Sequence, residues 1–477
     1  MEKYVIGGKK IVEGNFEINE SSLQEFCRIL LPEALLNEHK ALIKYEEDKI
    51  VLDLKKDKES ISFQCISYED KIYDQKLVML KSALLKFYNK DYKWGGMIGV
   101  RPTKIVRRFL EQGYTYEEIR IILKNLYLVK DEKIQLLETI VKKELEYLNR
   151  KYINLYLGIP YCPSKCKYCS FASYELKGKQ GEAYNKFVET LLEEIKLTGD
   201  FFKEKNIPIE SIYIGGGTPT ILNENDLELI LKELTNNINM DNIKEFTVEA
   251  GRIDTLNLKK LEIMKRYAVD RISINPQTFN EEVLKDLNRF FDSNLFDYIF
   301  SEAKKMDFII NMDLIIGLPN ERTEDILKTL DKVENYSMDN LTIHVLALKK
   351  ASTLFKSDYE HNFINYELIN NKISELTKKK GLYPYYMYRQ KNSLDWGENV
   401  AYAILGKESI FNIEMIEENQ STFALGGGGI SKIIKDIGEG RDSIERIINP
   451  KEPIAYINIM EERFKKKVEV FSKWIAE

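Results

Sequence analysis

The chain reads as an α/β protein: a partial six-unit β/α barrel with an N-terminal α+β module before it and a C-terminal α+β extension after it. Three observations predict this. Six short apolar runs alternate with helical patterns between residues 151 and 350, the signature of parallel β/α units. Residues before about 150 read instead as strands followed by helices, and residues after about 350 carry an aromatic run and a glycine run without the alternation. Finally, the conspicuous polar and cysteine residues fall where the six apolar runs end, which is where barrel folds collect function.

In the first module, expected over 1–150, Ala41–Tyr45, Ile50–Leu54 and Ile61–Cys65 read as an antiparallel meander separated by charged turns. Thr115 and Glu118 form a capping-box pattern ahead of Ile119, and Asp131 to Arg150 is amphipathic. In the barrel, expected over 151–350, the strands are Asn154–Pro160, Ser211–Gly217, Glu245–Gly251, Arg271–Thr278, Ile309–Pro319 and Leu341–Leu348. Their near-continuous apolar character fits burial on both faces. The stretch 351–477 is expected as a third domain, with aromatics at Tyr383–Tyr388 and glycines at Gly426–Gly429.

The 477 residues are 44% hydrophobic and 31% charged, enough chain for two or three domains with sizeable cores. The net charge is only -5 and basic residues are interspersed with acidic ones, which disfavours a nucleic-acid substrate. No run of about 18 apolar residues suggests a membrane span and no signal segment is evident, so the cytoplasm is the expected compartment, and a monomer is expected.

Five cysteines are too few for a disulfide framework in so long a chain. Cys27 and Cys65 stand alone in apolar patterns and read as buried small residues. Cys162, Cys166 and Cys169 form a C-x3-C-x2-C array just after the first barrel strand. Structural zinc takes four Cys or His ligands, whereas the three histidines, His39, His344 and His361, are scattered. An iron–sulfur cluster on three thiolates leaves one iron without a protein ligand, and an open iron implies chemistry. Beyond it, Gly215-Gly216-Gly217-Thr218 closes the second strand, where backbone can approach a ligand closely, although a tight turn explains a glycine run alone. Glu249, Gln277 and Asp313 each interrupt an apolar strand end. A buried polar group needs a partner, either another side chain or a ligand, and their recurrence at successive strand ends points to a lined cavity.

The cysteine spacing, with Tyr168 before the last cysteine, resembles the radical S-adenosylmethionine superfamily. Together with Gly215–Thr220, Val248–Arg252, Asn275–Asn280 and Asp313–Pro319, it resembles the oxygen-independent coproporphyrinogen III oxidase group within it. The Gly-Arg after Glu249, the Tyr383–Asn392 stretch and the long N-terminal module most resemble the coproporphyrinogen dehydrogenase branch of HemZ type. The resemblance implies a TIM-like partial (β/α)6 barrel and a 4Fe-4S cluster on the three cysteines, whose open iron chelates S-adenosylmethionine and reductively cleaves it to a 5'-deoxyadenosyl radical. It implies cofactor contacts from Tyr156, Gly216 and Glu249, with Tyr168 beside them. It further implies contacts to a second S-adenosylmethionine or a substrate-side ligand from Gly217, Thr218, Gln277, Arg289 and Asp313.

The substrate so implied is coproporphyrinogen III, oxidatively decarboxylated to protoporphyrinogen IX, with electrons from a flavodoxin or ferredoxin and the C-terminal domain covering the tetrapyrrole. Arg252, Arg289, Lys349, Lys350 and Arg389 are candidate partners for its carboxylates. Two positions depart from the well-described oxidases: Phe171 stands for a fourth cysteine and Gly158 for a histidine. Phe171 is also the pattern of related haem chaperones, whose His-Asn-x-x-Tyr-Trp haem motif is missing where this chain reads Met387–Asn392; His344 would then have to serve as haem ligand. A third reading is a radical enzyme acting on another substrate, including RNA.

Overall fold

The computed structural model describes residues 2–6, 9–68, 72, 74–356, 362–390, 397–437 and 442–476. It divides into two compact units, Met1–Lys142 and Lys143–Glu477.

The first unit carries a five-stranded sheet of β1 (Glu2–Ile6), β2 (Lys9–Gly14), β3 (His39–Glu46), β4 (Lys49–Lys56) and β5 (Glu59–Ile66), in that spatial order. The meander read from the sequence is β3–β5, paired antiparallel. The parallel β2–β3 pair beside it was not anticipated. Alternation in β3 puts His39, Ala41 and Ile43 inside, with Lys40, Leu42 and Lys44 outside. The helix Tyr116–Asn125 begins at the expected capping box, Thr115 Oγ1 accepting from the Glu118 amide and Glu118 accepting from the Thr115 amide. Cys27 is fully buried, and burial pushes its thiol up to about 12, the behaviour of a small core residue rather than a reactive thiol.

The second unit is built on an eleven-stranded sheet. Its heart is six parallel strands that neighbour one another in chain order: β6 (Ile153–Ile159), β7 (Ile209–Gly216), β8 (Glu245–Val248), β9 (Arg271–Ser273), β10 (Ile309–Ile316) and β11 (Asn340–Val345). All four residues of β8 and all of β9 are buried, as strands covered on both faces must be. Crossover helices Tyr184–Lys205, Glu224–Asn237, Leu258–Arg266, Ser293–Lys305 and Thr323–Val333 return the chain so that each next strand runs parallel. Every C-terminal strand end therefore lies on one rim.

The expected boundaries near 150 and 350 differ from this division, for a physical reason. Residues 143–150 are tied into the second unit: Tyr147 donates to Glu408 (2.7 Å), the Asn149 amide to Glu414 (2.8 Å) and Arg150 to Asp442 (2.9 Å). Residues after 350 extend the same sheet rather than forming their own. β12 (Tyr383–Arg389) and β13 (Glu398–Ala403) join antiparallel beyond β11. At the opposite edge β14 (Thr422–Gly426) pairs parallel with β6, followed by β15 (Ile430–Asp436) and β16 (Asp442–Ile448). The closing helix Pro453–Ala476 is fastened to Tyr184–Lys205 by a fully buried ion pair, Lys467 to Glu194 at 2.5 Å, with Tyr456 donating to the same carboxylate.

Candidate active site

The loop after β6 carries the three cysteines and is held at both ends. The Cys162 amide donates to Tyr174 O (3.0 Å) and the Tyr174 amide to Pro160 O (2.9 Å), closing the loop on itself. Its outer turn is tied to the segment after Val283, with the Lys167 amide donating to Leu287 O (3.0 Å) and Ser164 Oγ to Asn288 O (2.9 Å). Cys162, Cys166 and Cys169 all face one cavity of about 230 Å³ on the rim of C-terminal strand ends. Burial pushes the thiols of Cys162 and Cys169 up, so loading with metal releases protons.

The glycine run after β7 lies against this loop, and close approach explains its composition. The Gly217 amide donates to Ile159 O and that of Thr218 to Tyr161 O, both at 2.8 Å. A Cβ on Gly217 would reach within 3.0 Å of Cys162 Sγ and overlap Tyr161 O, and Gly216 has φ +114°, where a side chain is strained. Thr218 Oγ1 lies 3.3 Å from Cys162 Sγ.

Glu249 stands just beyond β8 on the cavity wall. Burial pushes its carboxyl up to about 7, a rise opposed by the 2.5 Å hydrogen bond from Tyr213 and reinforced by the charge of Asp313. Gln277 has a strained φ of +67°; its amide donates to Asp313 O and its carbonyl accepts from Ile315. Its side-chain Oε1 is buried with no hydrogen-bond partner among the described residues, although it borders the cavity. Such an orphan costs about 1–3 kcal/mol and marks a place where a ligand donor belongs.

Asp313 accepts from Asn275 Nδ2 (2.7 Å) and Asn311 Nδ2 (2.8 Å), and His344 Nε2 is 3.8 Å away. Burial would raise its carboxyl, but His344 and the neighbouring donors outweigh burial and hold it below the usual range. His344 Nδ1 in turn meets Tyr388 Oη at 3.2 Å, and Gln390 donates to the same oxygen. Sequence reasoning missed this Asp313–His344–Tyr388–Gln390 chain because it joins β10, β11 and β12, three strands that only the fold brings together.

Tyr156 lies away from the cavity, whereas Arg252, Arg289 and Lys349 border it. The Tyr156 ring stacks 6.2 Å from both Tyr213 and Phe411. Arg289 is buried at the cavity wall, with Nη2 donating to Gly251 O and Asn275 O at 2.5 Å each and Nη1 to Tyr168 Oη at 3.4 Å. Arg252 is 3% exposed, gripped by Asp254 and turned toward Cys166. Both guanidiniums are committed within the protein rather than open to substrate carboxylates. Lys349 borders the cavity, whereas Lys350 and Arg389 do not. Of the aromatic run, Tyr385 and Tyr386 pack internally with Ala401 and Ile413, and Tyr388 alone reaches the cavity. Lys391, Asn392 and His361 lie outside the described residues. The Gly426–Gly429 turn does not border the cavity; it packs on Gly158, and a side chain there would overlap Gly427 O.

The donor chemistry suits an iron–sulfur cluster with a small-molecule ligand beside it. No three His, Cys, Asp or Glu among the described residues are gathered as tightly as a single metal ion requires, whereas a cluster spreads its cysteines over different irons. Three cavity-facing thiols, a half-buried backbone edge at Gly216–Gly217, a carboxyl at Glu249 and an unpaired amide oxygen at Gln277 converge on one space.

Comparison with known proteins agrees. Residues 156–333 match the radical SAM superfamily. The chain is 37% identical over 397 residues to the oxygen-independent coproporphyrinogen-III oxidase-like protein HemZ of Bacillus subtilis, covering 80% of this chain and 78% of that one. It is 34% identical to the heme chaperone HemW of Buchnera aphidicola over 203 residues, 43% of this chain and 53% of the chaperone. Among solved structures, the radical SAM coproporphyrinogen III oxidase HemN of Escherichia coli superposes with a TM-score of 0.52 at 22% identity, over 68% of this chain and 72% of that one, which establishes the shared fold.

Proposed function

Because this chain belongs to the HemN/HemZ-type family of radical SAM proteins, whose cofactors are a 4Fe-4S cluster and S-adenosylmethionine, we propose that it oxidatively decarboxylates coproporphyrinogen III to protoporphyrinogen IX. The observation that carries the reading is the single cavity in which the three thiols face Glu249, Gln277 and Asp313. When bound, the two cofactors together supply a 5'-deoxyadenosyl radical that takes a hydrogen from the β-carbon of a propionate side chain. Each propionate then loses carbon dioxide and passes one electron to an acceptor, leaving a vinyl group.

The chain's own residues bind and orient. Cys162, Cys166 and Cys169 hold the cluster. The Glu249 carboxylate and the Gly216–Gly217 edge receive the amino-acid end of the cofactor, and Gln277 Oε1 takes a donor from the ligand beside it. Asp313, kept ionised, orients His344 and Tyr388 on the substrate side, with Lys349 at the mouth as the remaining cation for a propionate. A reductant of flavodoxin or ferredoxin type in the cytoplasm completes the cycle.

A second reading, a haem chaperone, is favoured by the HemW relatives and by Phe171, 67% exposed at the cavity mouth where the oxidases carry a cysteine. The test is anaerobic reconstitution with S-adenosylmethionine, a strong reductant and coproporphyrinogen III, followed by chromatography. Vinyl products that vanish in Cys166→Ala support the oxidase. Deoxyadenosine without vinyl product, together with stoichiometric haem binding, turns the assignment to the chaperone.

A further inference from the structure

We propose that Arg252 is a positioning residue that raises the reduction potential of the cluster by donating a hydrogen bond, and presenting a full positive charge, to the sulfur of Cys166. The inference rests on the cluster assignment above. Arg252 Nη1 lies 3.3 Å from Cys166 Sγ and also donates to the carbonyl and hydroxyl of Ser164, at 3.3 and 3.2 Å. Nε and Nη2 form a fork on Asp254, at 2.9 and 2.7 Å. Every side of the guanidinium is thus engaged, and its 3% exposure leaves it nothing to do in solvent.

Burying a guanidinium is costly unless it is paired, and Asp254 supplies that pairing from the face away from the thiol. The arrangement is directional: the positive end of the Arg252–Asp254 pair is against the sulfur and the negative end is behind it. Arg289 Nη1, 4.0 Å from the same Sγ, adds a second cation at longer range. A reduced cluster carries one more negative charge than an oxidised one, so a nearby donor and cation favour reduction, and low dielectric magnifies the effect. The turn Ile253–Thr255 begins at Arg252 and aims the side chain back across the rim at the cysteine loop.

The test is an EPR-monitored redox titration of the reconstituted full chain, with iron and sulfide counted per chain. Arg252→Gln should assemble the cluster with a midpoint more negative by at least tenfold in the reduction equilibrium, about 59 mV for one electron. Asp254→Asn, which removes the opposing charge while leaving an acceptor for Nε, should move the midpoint the other way. Generalised damage to the loop does not produce opposite shifts. If Arg252→Gln holds no iron, Arg252→Lys decides, since it keeps the charge without the fork and should still sit below the unaltered protein. An unshifted midpoint at full iron content, or shifts of the same sign in the two variants, overturns the proposal. Failure of the unaltered chain to take up iron removes the cluster assignment itself.

Discussion

At residue scale, Glu249 has a carboxyl whose environment works against the charge its proposed role requires. Its ordinary value of 4.5 is raised to about 7, so the apo chain gains from holding it protonated, and that gain is lost as pH rises through about 7. A cationic amine bound beside it would reverse the balance. S-adenosylmethionine affinity of the reconstituted protein should therefore rise between about pH 6 and pH 8, and Glu249→Gln should weaken binding about tenfold or more and flatten the profile; both are readable by isothermal titration calorimetry under anaerobic conditions. An unchanged affinity in the Gln variant would remove Glu249 from the cofactor contacts. The neighbouring Asp313 behaves oppositely, held low despite burial, so two carboxyls across one cavity differ in charge state near neutral pH. That divergence is typical of sites where one group binds and another orients.

At the scale of elements, what was legible in the sequence was whatever is encoded locally. The six barrel strands appear where apolar runs end in polar residues, and the Thr115 capping box is a four-residue signal that needs no tertiary context. Arg252 was visible as a residue but not as a neighbour of Cys166, because 86 positions separate them and only the shared rim joins them. Tyr156 was expected beside the cofactor from the resemblance alone, and its stacking on Tyr213 and Phe411 could not be read from the sequence because those rings come from other elements. The extension was read as separate because nothing in residues 351–477 announces that β14 pairs with β6. The reason lies in Gly158 and Gly426, which sit opposite each other in that pair. Gly158→Ala should therefore lower thermal stability by about 1–3 kcal/mol through overlap with Gly427 O, with cluster content retained in the surviving fold. The clamp of the last helix gives a second check. Lys467→Ala should cost about 3–5 kcal/mol in denaturant unfolding by leaving Glu194 charged and buried, whereas replacing both partners with Met and Leu should cost far less. Equal losses in the single and double variants would mean that packing, not charge, holds the helix.

At the scale of the whole molecule, the proposed chemistry is confined to one of the two units. Every side chain bordering the cavity falls between Cys162 and Gln390, and the strands that place them belong to one continuous sheet formed after residue 150. The first unit has its own sheet and its own buried core, including Leu23, Phe26, Leu52 and Leu80, so neither unit borrows strands from the other. No helix among the described residues is long and apolar enough to cross a membrane. If the cavity is self-sufficient, a chain beginning at Lys143 should fold, take up the same iron and sulfide per chain as the full protein, and cleave S-adenosylmethionine at a rate within about threefold when dithionite supplies the electron. The start of the remaining segment favours this, since Tyr147, Asn149 and Arg150 bond to Glu408, Glu414 and Asp442 of the second unit. The comparison becomes informative when a protein reductant replaces dithionite. Loss of activity with flavodoxin alone would assign residues 1–142 to the electron donor, and loss of vinyl product with deoxyadenosine unchanged would assign them to the tetrapyrrole. Failure to hold iron at all would show that the cavity depends on the first unit despite its separate sheet.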